Sequence, residues 1–152
     1  MNPSIMTGAR NHLVNQLIFF DEHYTAFFDM YFLEPNKERT AMEKLIHRYW
    51  EALELILTQD DSTLSNTLNT TVLVGSTVKV YYYEDRESEE YTIVYPTESD
   101  PDKNRISFLS PIGRQLLLAS LGADMTLVTP AVNQSIRIEA VKLTYLGGFI
   151  MD

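Results

Sequence analysis

The sequence contains no cysteine among its 152 residues, which removes disulfides, thiolate nucleophiles and cysteine-held zinc or iron–sulfur centres. Cations are scarce as well: 12 Lys plus Arg stand against 21 Asp plus Glu, a formal charge of −9. That balance disfavours a protein wrapped in phosphate contacts, so any nucleic-acid contact has to be local and no specific DNA binding is expected. No apolar run approaches the roughly 18 residues of a membrane span. The opening Met1-Asn2-Pro3-Ser4 lacks the basic-then-apolar order of a secretion signal, and the expected setting is the cytoplasm, away from membranes. Gly-x-Ser-x-Gly, Walker, Gly-x-Gly-x-x-Gly and His-Glu-x-x-His patterns do not occur. Independent hydrolase, nucleotide or dehydrogenase chemistry therefore has no support, and no cofactor and no resident metal are expected. What is there is ordinary globular material, 45% hydrophobic and 22% charged, long enough to bury roughly two-thirds of its unfolded surface.

The chain divides at Gln59-Asp60-Asp61-Ser62-Thr63-Leu64-Ser65-Asn66-Thr67-Leu68-Asn69, a polar, weakly periodic stretch that reads as a linker (59–69) between units 1–58 and 70–152. Before it, Leu13, Leu17, Phe20, Tyr24, Phe27 and Tyr31 are spaced 4, 3, 4, 3 and 4, one seam of a helix in an a/d pattern. Met42, Ile46, Tyr49, Leu53 and Ile56 repeat the spacing. Pro35 forbids a continuous helix between them, and Thr40 with Glu43 offers a capping box for the second. The expectation is an antiparallel helical hairpin, a short coiled coil, whose first helix runs over about residues 9–33 and measures about 37 Å at 1.5 Å per residue. Val14, Ile18, Phe28 and Phe32 lie off the seam, so this helix should also meet the second unit, a partner, or a second copy in a homodimer.

After the linker the hydrophobic period changes to 2. Val78, Val80 and Tyr82, then Tyr91, Ile93 and Tyr95, flank an acidic turn and read as an antiparallel strand pair. Further strands fit 105–108, 125–128 and 135–145, and a phase flip between Ala140 and Val141 calls for a bulge. Ser110 as N-cap, Pro111 at N1 and Gly122 as C′ frame one short helix over 111–121. The fold class is α+β.

Four blocks now stand in order: Leu73-Val74-Gly75-Ser76-Thr77-Val78, Glu90-Tyr91-Thr92-Ile93-Val94, Arg105-Ile106-Ser107-Phe108-Leu109-Ser110-Pro111-Ile112-Gly113-Arg114-Gln115-Leu116-Leu117 and Val141-Lys142-Leu143-Thr144-Tyr145-Leu146. In order and spacing they resemble the C-terminal domain of the GreA/GreB transcript cleavage factors, over about residues 70–146. The resemblance implies an FKBP-like antiparallel sheet domain that docks on the rim of the RNA polymerase secondary channel, and an N-terminal coiled coil that carries acidic residues to the catalytic magnesium. The Ser-Pro turn belongs to the polymerase-facing surface in that family, so Leu109, Ser110, Pro111, Ile112 and Arg114 are the implied polymerase-binding residues. Leu109 stands where the cleavage factors often have Asp or Asn, which makes the site here more apolar. Against this reading, Ser110-Pro111 would be a cap alone, with Leu109 and Ile112 as core.

The hairpin departs from the family. The acidic stretch leading into Glu-Asn-Ala-Glu-Tyr is missing, and the plan is closer to a short-hairpin relative, the regulator of nucleoside diphosphate kinase. Asp29, Glu34 and Glu38 are the candidate tip acids, either oxygen ligands for a second metal ion or solvated charges. Lys37, Lys44 and Arg48 read as a solvated helix face, His12 and His23 as satisfied surface or interface histidines, and Tyr81-Tyr82-Tyr83 as a strand edge. The resulting expectation is a transcription regulator, not itself an enzyme, that binds RNA polymerase at the channel rim with weak or no stimulation of cleavage. The alternatives are a true Gre-type elongation factor or, by fold analogy alone, an FKBP-like prolyl isomerase.

Overall fold

The structure, a computed structural model, describes residues 3–149; Met1 and Asn2 of the opening and residues 150–152 of the expected second unit lie outside them. The chain forms a mixed α+β fold in two compact units, one of residues 3–64 with Phe149 and one of residues 65–148. Among the described residues, no helix is long and apolar enough to cross a membrane.

The first unit contains α1 (Pro3–Glu22), α2 (Tyr24–Tyr31) and α3 (Lys37–Ile56), followed by the start of α4 (Asp61–Leu68). The single first helix expected over 9–33 is thus two helices that begin earlier and end sooner, interrupted at His23, whose ring packs on Phe19 at 5.5 Å. Contacts step in opposite directions along α1–α2 and α3. Arg10 donates to the Gln59 carbonyl at 2.6 Å, Tyr49 donates to Gln16, and Tyr24 donates to Glu43 at 3.3 Å. Met42, Ile46, Tyr49, Leu53 and Ile56 are all buried, as their spacing requires. The cap of α3 is Asn36, whose Oδ1 accepts from the Arg39 N–H at 3.0 Å, and not Thr40. Asn is as good a cap as Thr and stands directly after Pro35, so the helix starts one turn sooner. Thr40 instead donates to the Asn36 carbonyl.

Two expectations about side chains change. His12, expected as a satisfied histidine at the surface or an interface, is satisfied but buried, and its Nε2 lies 2.7 Å from Gln16 Nε2, which in turn meets Tyr49 through Oε1. This polar chain lies among apolar neighbours and leaves the amide of Gln16 engaged at both ends. Phe28 is fully buried within its own unit, between Tyr24 at 4.7 Å and Phe27 at 5.3 Å, with the Arg39 guanidinium 5.6 Å over its ring. The excess stripe that called for a partner or second copy is therefore reduced to Val14 and Ile18, which stay exposed, and half-buried Phe32.

The segment read as a linker is largely helix α4. Asp60 caps it by accepting from the Thr63 N–H at 2.8 Å, a bond that holds the Asp60 carboxyl below its usual range. Leu64 and Leu68 are buried at i, i+4 spacing, so a pair of leucines suffices to seat a turn-rich sequence as a helix.

The second unit is a five-stranded sheet, β1 (Ser76–Tyr82), β2 (Glu87–Val94), β3 (Arg105–Ser107), β4 (Asp124–Val128) and β5 (Asn133–Leu143), with α5 (Pro111–Leu116) beside it. The order is β3-β2-β1-β5-β4. The sheet is not wholly antiparallel, because β3 joins β2 in parallel after two 3-10 turns that each begin with a proline, Pro96 and Pro101. β1 is the central strand, not an edge, so Tyr82 points inward to share a 2.6 Å hydrogen bond with Tyr91, while Tyr81 and Tyr83 pack edge to face on the other side. The bulge falls opposite Lys79 and Val80, where Glu139 of β5 has no partner in the ladder. Helix α5 stops at Leu116, not at 121. Leu118 donates to the Val72 carbonyl and Val72 to the Ala119 carbonyl, so strand-like pairing claims the groups a longer helix would use.

Replacing Tyr49 by Phe removes its buried hydrogen bond to Gln16, a loss of about 0.5–1.5 kcal/mol. Urea denaturation should show that decrease, whereas an unchanged midpoint would mean Gln16 finds another donor.

Candidate functional site

The Ser-Pro turn is built from the end of β3 into α5. Phe108 is fully buried and donates its N–H to the Val94 carbonyl at 3.0 Å, which fastens the start of the turn to β2. Ser107 Oγ accepts from the Leu109 N–H at 2.9 Å. Ser110 has extended backbone, and its hydroxyl donates to the Ser107 carbonyl at 2.7 Å while accepting from the Gly113 N–H at 3.0 Å. Pro111 then occupies the first helical position, where its missing N–H leaves nothing unsatisfied. The N-cap role read from the sequence is thus the observed one.

Gly113 is fixed by contact, not by backbone angle. A Cβ there would lie 2.1 Å from the Ser107 carbonyl oxygen and 2.8 Å from Ser110 Oγ. Arg114 closes the turn from inside: its Nε donates to the Leu109 carbonyl at 2.9 Å, and Nη2 reaches the same oxygen. A guanidinium turned onto the main chain in this way is a lock for the turn. Of the five residues named from the sequence, Ser110 and Arg114 are therefore occupied in holding the turn. Pro111 is exposed, and Leu109 and Ile112 are half-buried rather than core. The face presented to solvent is uncharged and apolar.

Gln115, which the sequence reading passed over, is attached to three main-chain groups. Its Nε2 donates to the Pro111 and Val128 carbonyls, each at 2.7 Å, and its Oε1 accepts from the Val128 N–H at 2.8 Å. A half-buried glutamine on a helix carries no sequence signal of such a role; only the neighbouring strand edge reveals it.

The tip acids lie in the other unit and are not drawn into one cluster. Asp29 is 3.9 Å from Arg39, which also pairs with Glu43 at 3.4 Å and donates to the Phe32 carbonyl at 2.9 Å. Glu34 sits exposed in the loop beside Pro35, and Glu38 is exposed in the first turn of α3. Among the described residues, no three His, Asp or Glu side chains gather in an arrangement that could hold a metal ion.

The organised feature of the β unit is thus a rigid protein-surface turn. Residues 67–143 match the family model described as "Transcription elongation factor, GreA/GreB, C-term", a match covering half of the chain and the whole Ser-Pro turn. The chain belongs to the GreA/GreB family. It is 41% identical over 73 residues to the transcription elongation factor GreA of Listeria monocytogenes, which covers 48% of this chain and 46% of that protein. Against GreA of Desulfovibrio desulfuricans it is 36% identical over 98 residues, 64% of this chain and 59% of that one. A solved structure of the prokaryotic transcription elongation factor GreA/GreB from Nitrosomonas europaea is 31% identical over 48% of this chain and 61% of its own, with a TM-score of 0.43. The chain spans about half the length of the curated relatives it matches.

Gly113→Ala forces the new methyl against the Ser107 carbonyl, and the unit should lose about 1–3 kcal/mol. The check is the urea midpoint, and a wild-type value would mean that α5 shifts without cost.

Proposed function

We propose that this protein regulates transcription by binding RNA polymerase at the rim of the secondary channel, with the FKBP-like unit of residues 65–148 as the docking module and the helical hairpin as the part that approaches the channel. The reading rests on one observation: within the region matching the GreA/GreB family, the Ser-Pro turn is held by Ser107, Ser110, Gly113 and Arg114 and leaves only Pro111, Ile112 and Leu109 to a partner. A turn that is ordered before binding loses little entropy on docking, so its contacts go directly into affinity. Such a role belongs in the cytoplasm and requires no cofactor.

The same proposal assigns little transcript cleavage to this chain, and no chemistry of its own. Cleavage in the family depends on acidic side chains that reach the polymerase metal centre. Oxygen ligands must come within about 2.0–2.6 Å of such an ion, and two missing helical turns would withdraw a tip by about 11 Å. The tip here also carries its own neutralising charge, since Arg39 lies beside Asp29 and Glu43 and Lys37 stands next to Glu38. Nearby cations weaken the field a metal ion needs.

One experiment addresses both halves. Core polymerase is titrated with the full chain and with Ile112→Asp, and the same proteins are added to a backtracked complex. Wild type should bind, Ile112→Asp should bind at least tenfold more weakly while melting normally, and neither should shorten the RNA above background. Equal affinity of a folded Ile112→Asp would end the docking proposal. Robust cleavage lost in Glu34→Ala or Glu38→Ala would overturn the second half and identify those acids as the working tip.

A further inference from the structure

The Ser-Pro turn does not stand alone on its side of the sheet. Gln115 hydrogen-bonds the Pro111 carbonyl on one hand and both main-chain groups of Val128 on the other, so the start of α5 and the end of β4 are held by one carboxamide. Val128 opens the turn to β5, and Thr129 closes it: the Thr129 N–H and hydroxyl both donate to the Val132 carbonyl, and its Oγ1 accepts from the Val132 N–H. Val128 is 55% exposed and Val132 48%, each a β-branched side chain left in water at a turn held by Thr129. No residue from Met125 to Ile136 carries a charge, nor does any from Phe108 to Gly113. In a chain of formal charge −9 this makes an uncharged area composed of two turns.

We propose that the β4–β5 turn is the second half of the docking surface, with Val128 and Val132 as contact residues and Gln115 as the positioning residue that joins them to Pro111 and Ile112. This rests on the proposed docking of the Ser-Pro turn and specifies its partner surface: an uncharged, apolar ridge of the polymerase, wide enough to meet both turns. An acidic or basic ridge would have to leave its charges unpaired against this area, which disfavours it by desolvation. The amide of Gln115 is suited to the positioning role because its oxygen and nitrogen match the N–H and C=O of Val128 as a neighbouring strand would. It thereby also occupies one exposed end of the β4 edge, where unsatisfied main-chain groups would otherwise invite strand pairing.

The test measures polymerase affinity of the full chain carrying Val128→Asp, Val132→Asp, Gln115→Ala, and Gln115→Ala with Val128→Asp, with Ile112→Asp in parallel and thermal melting as the check on folding. Val128→Asp and Val132→Asp should each weaken binding at least fivefold with little change in melting, since both side chains are exposed. Gln115→Ala should weaken binding by itself and combine with Val128→Asp less than additively, because part of its effect is to position the Val128 side chain. The ratio of wild-type to Val132→Ala affinity should stay the same between low and high salt, as an uncharged contact requires. If Ile112→Asp weakens binding while both valine variants bind as wild type, the extended surface is wrong and the Ser-Pro docking stands. If Ile112→Asp binds as wild type, the docking reading fails and this inference falls with it. Full additivity of Gln115→Ala with Val128→Asp would overturn the positioning role.

Discussion

The carbonyl oxygen of Ser107 accepts from the Ser110 N–H at 3.0 Å and the Ser110 hydroxyl at 2.7 Å, and lies where any side chain at position 113 would have to go. From that crowded point the rest of the surface follows. Ser110 can cap α5 because its hydroxyl is already aimed by Ser107, and α5 can pass so close to β3 because residue 113 has no Cβ. The direction of α5 then sets where Arg114 and Gln115 reach. With the Ser107 and Leu109 carbonyls and the Ser110 hydroxyl engaged within the turn, Pro111 and Ile112 are the side chains it presents outward.

A common device appears at three places in the two units. Of the 12 cationic residues, Arg10, Arg39 and Arg114 are turned onto main-chain carbonyls: Arg10 onto Gln59 beyond the end of α3, Arg39 onto Phe32 at the end of α2, and Arg114 onto Leu109 before α5. The first two lie where helix carbonyls run out of partners and a positive charge is favoured. Each guanidinium fixes a connection rather than a regular element. The outcome is a chain whose loops are well held and whose remaining surface charge is mostly acidic.

Periodicity made α3 legible, since five apolar positions at spacings of 4 and 3 can be buried together in one way only. It failed where composition and pairing compete. Leu64 and Leu68 were hidden by the polar residues around them, although two leucines one turn apart were enough for α4. The run Leu116-Leu117-Leu118 looked helical, but the main chain of 118–121 pairs with residues 70–72, and no local pattern states that a distant segment will claim those groups. The direction of β3 was likewise unreadable, because alternation identifies a strand but not the orientation of its neighbour. The Ser-Pro turn was found through its block of residues, while Gln115 was not, since its partners are main-chain groups that exist only once β4 is in place.

The aromatic core of the helical unit is completed from far along the chain. Phe149 is buried with its ring 5.4 Å from Phe19 and 5.7 Å from Phe20, edge to face in both cases, yet it follows the entire sheet unit in sequence. A ribosome releases the helical unit first, but cannot supply this ring until all the strands have emerged. Domain-by-domain folding from the N-terminus is therefore interrupted here: the helices can form early, and their core acquires this aromatic member only after the strands of the β unit have been made.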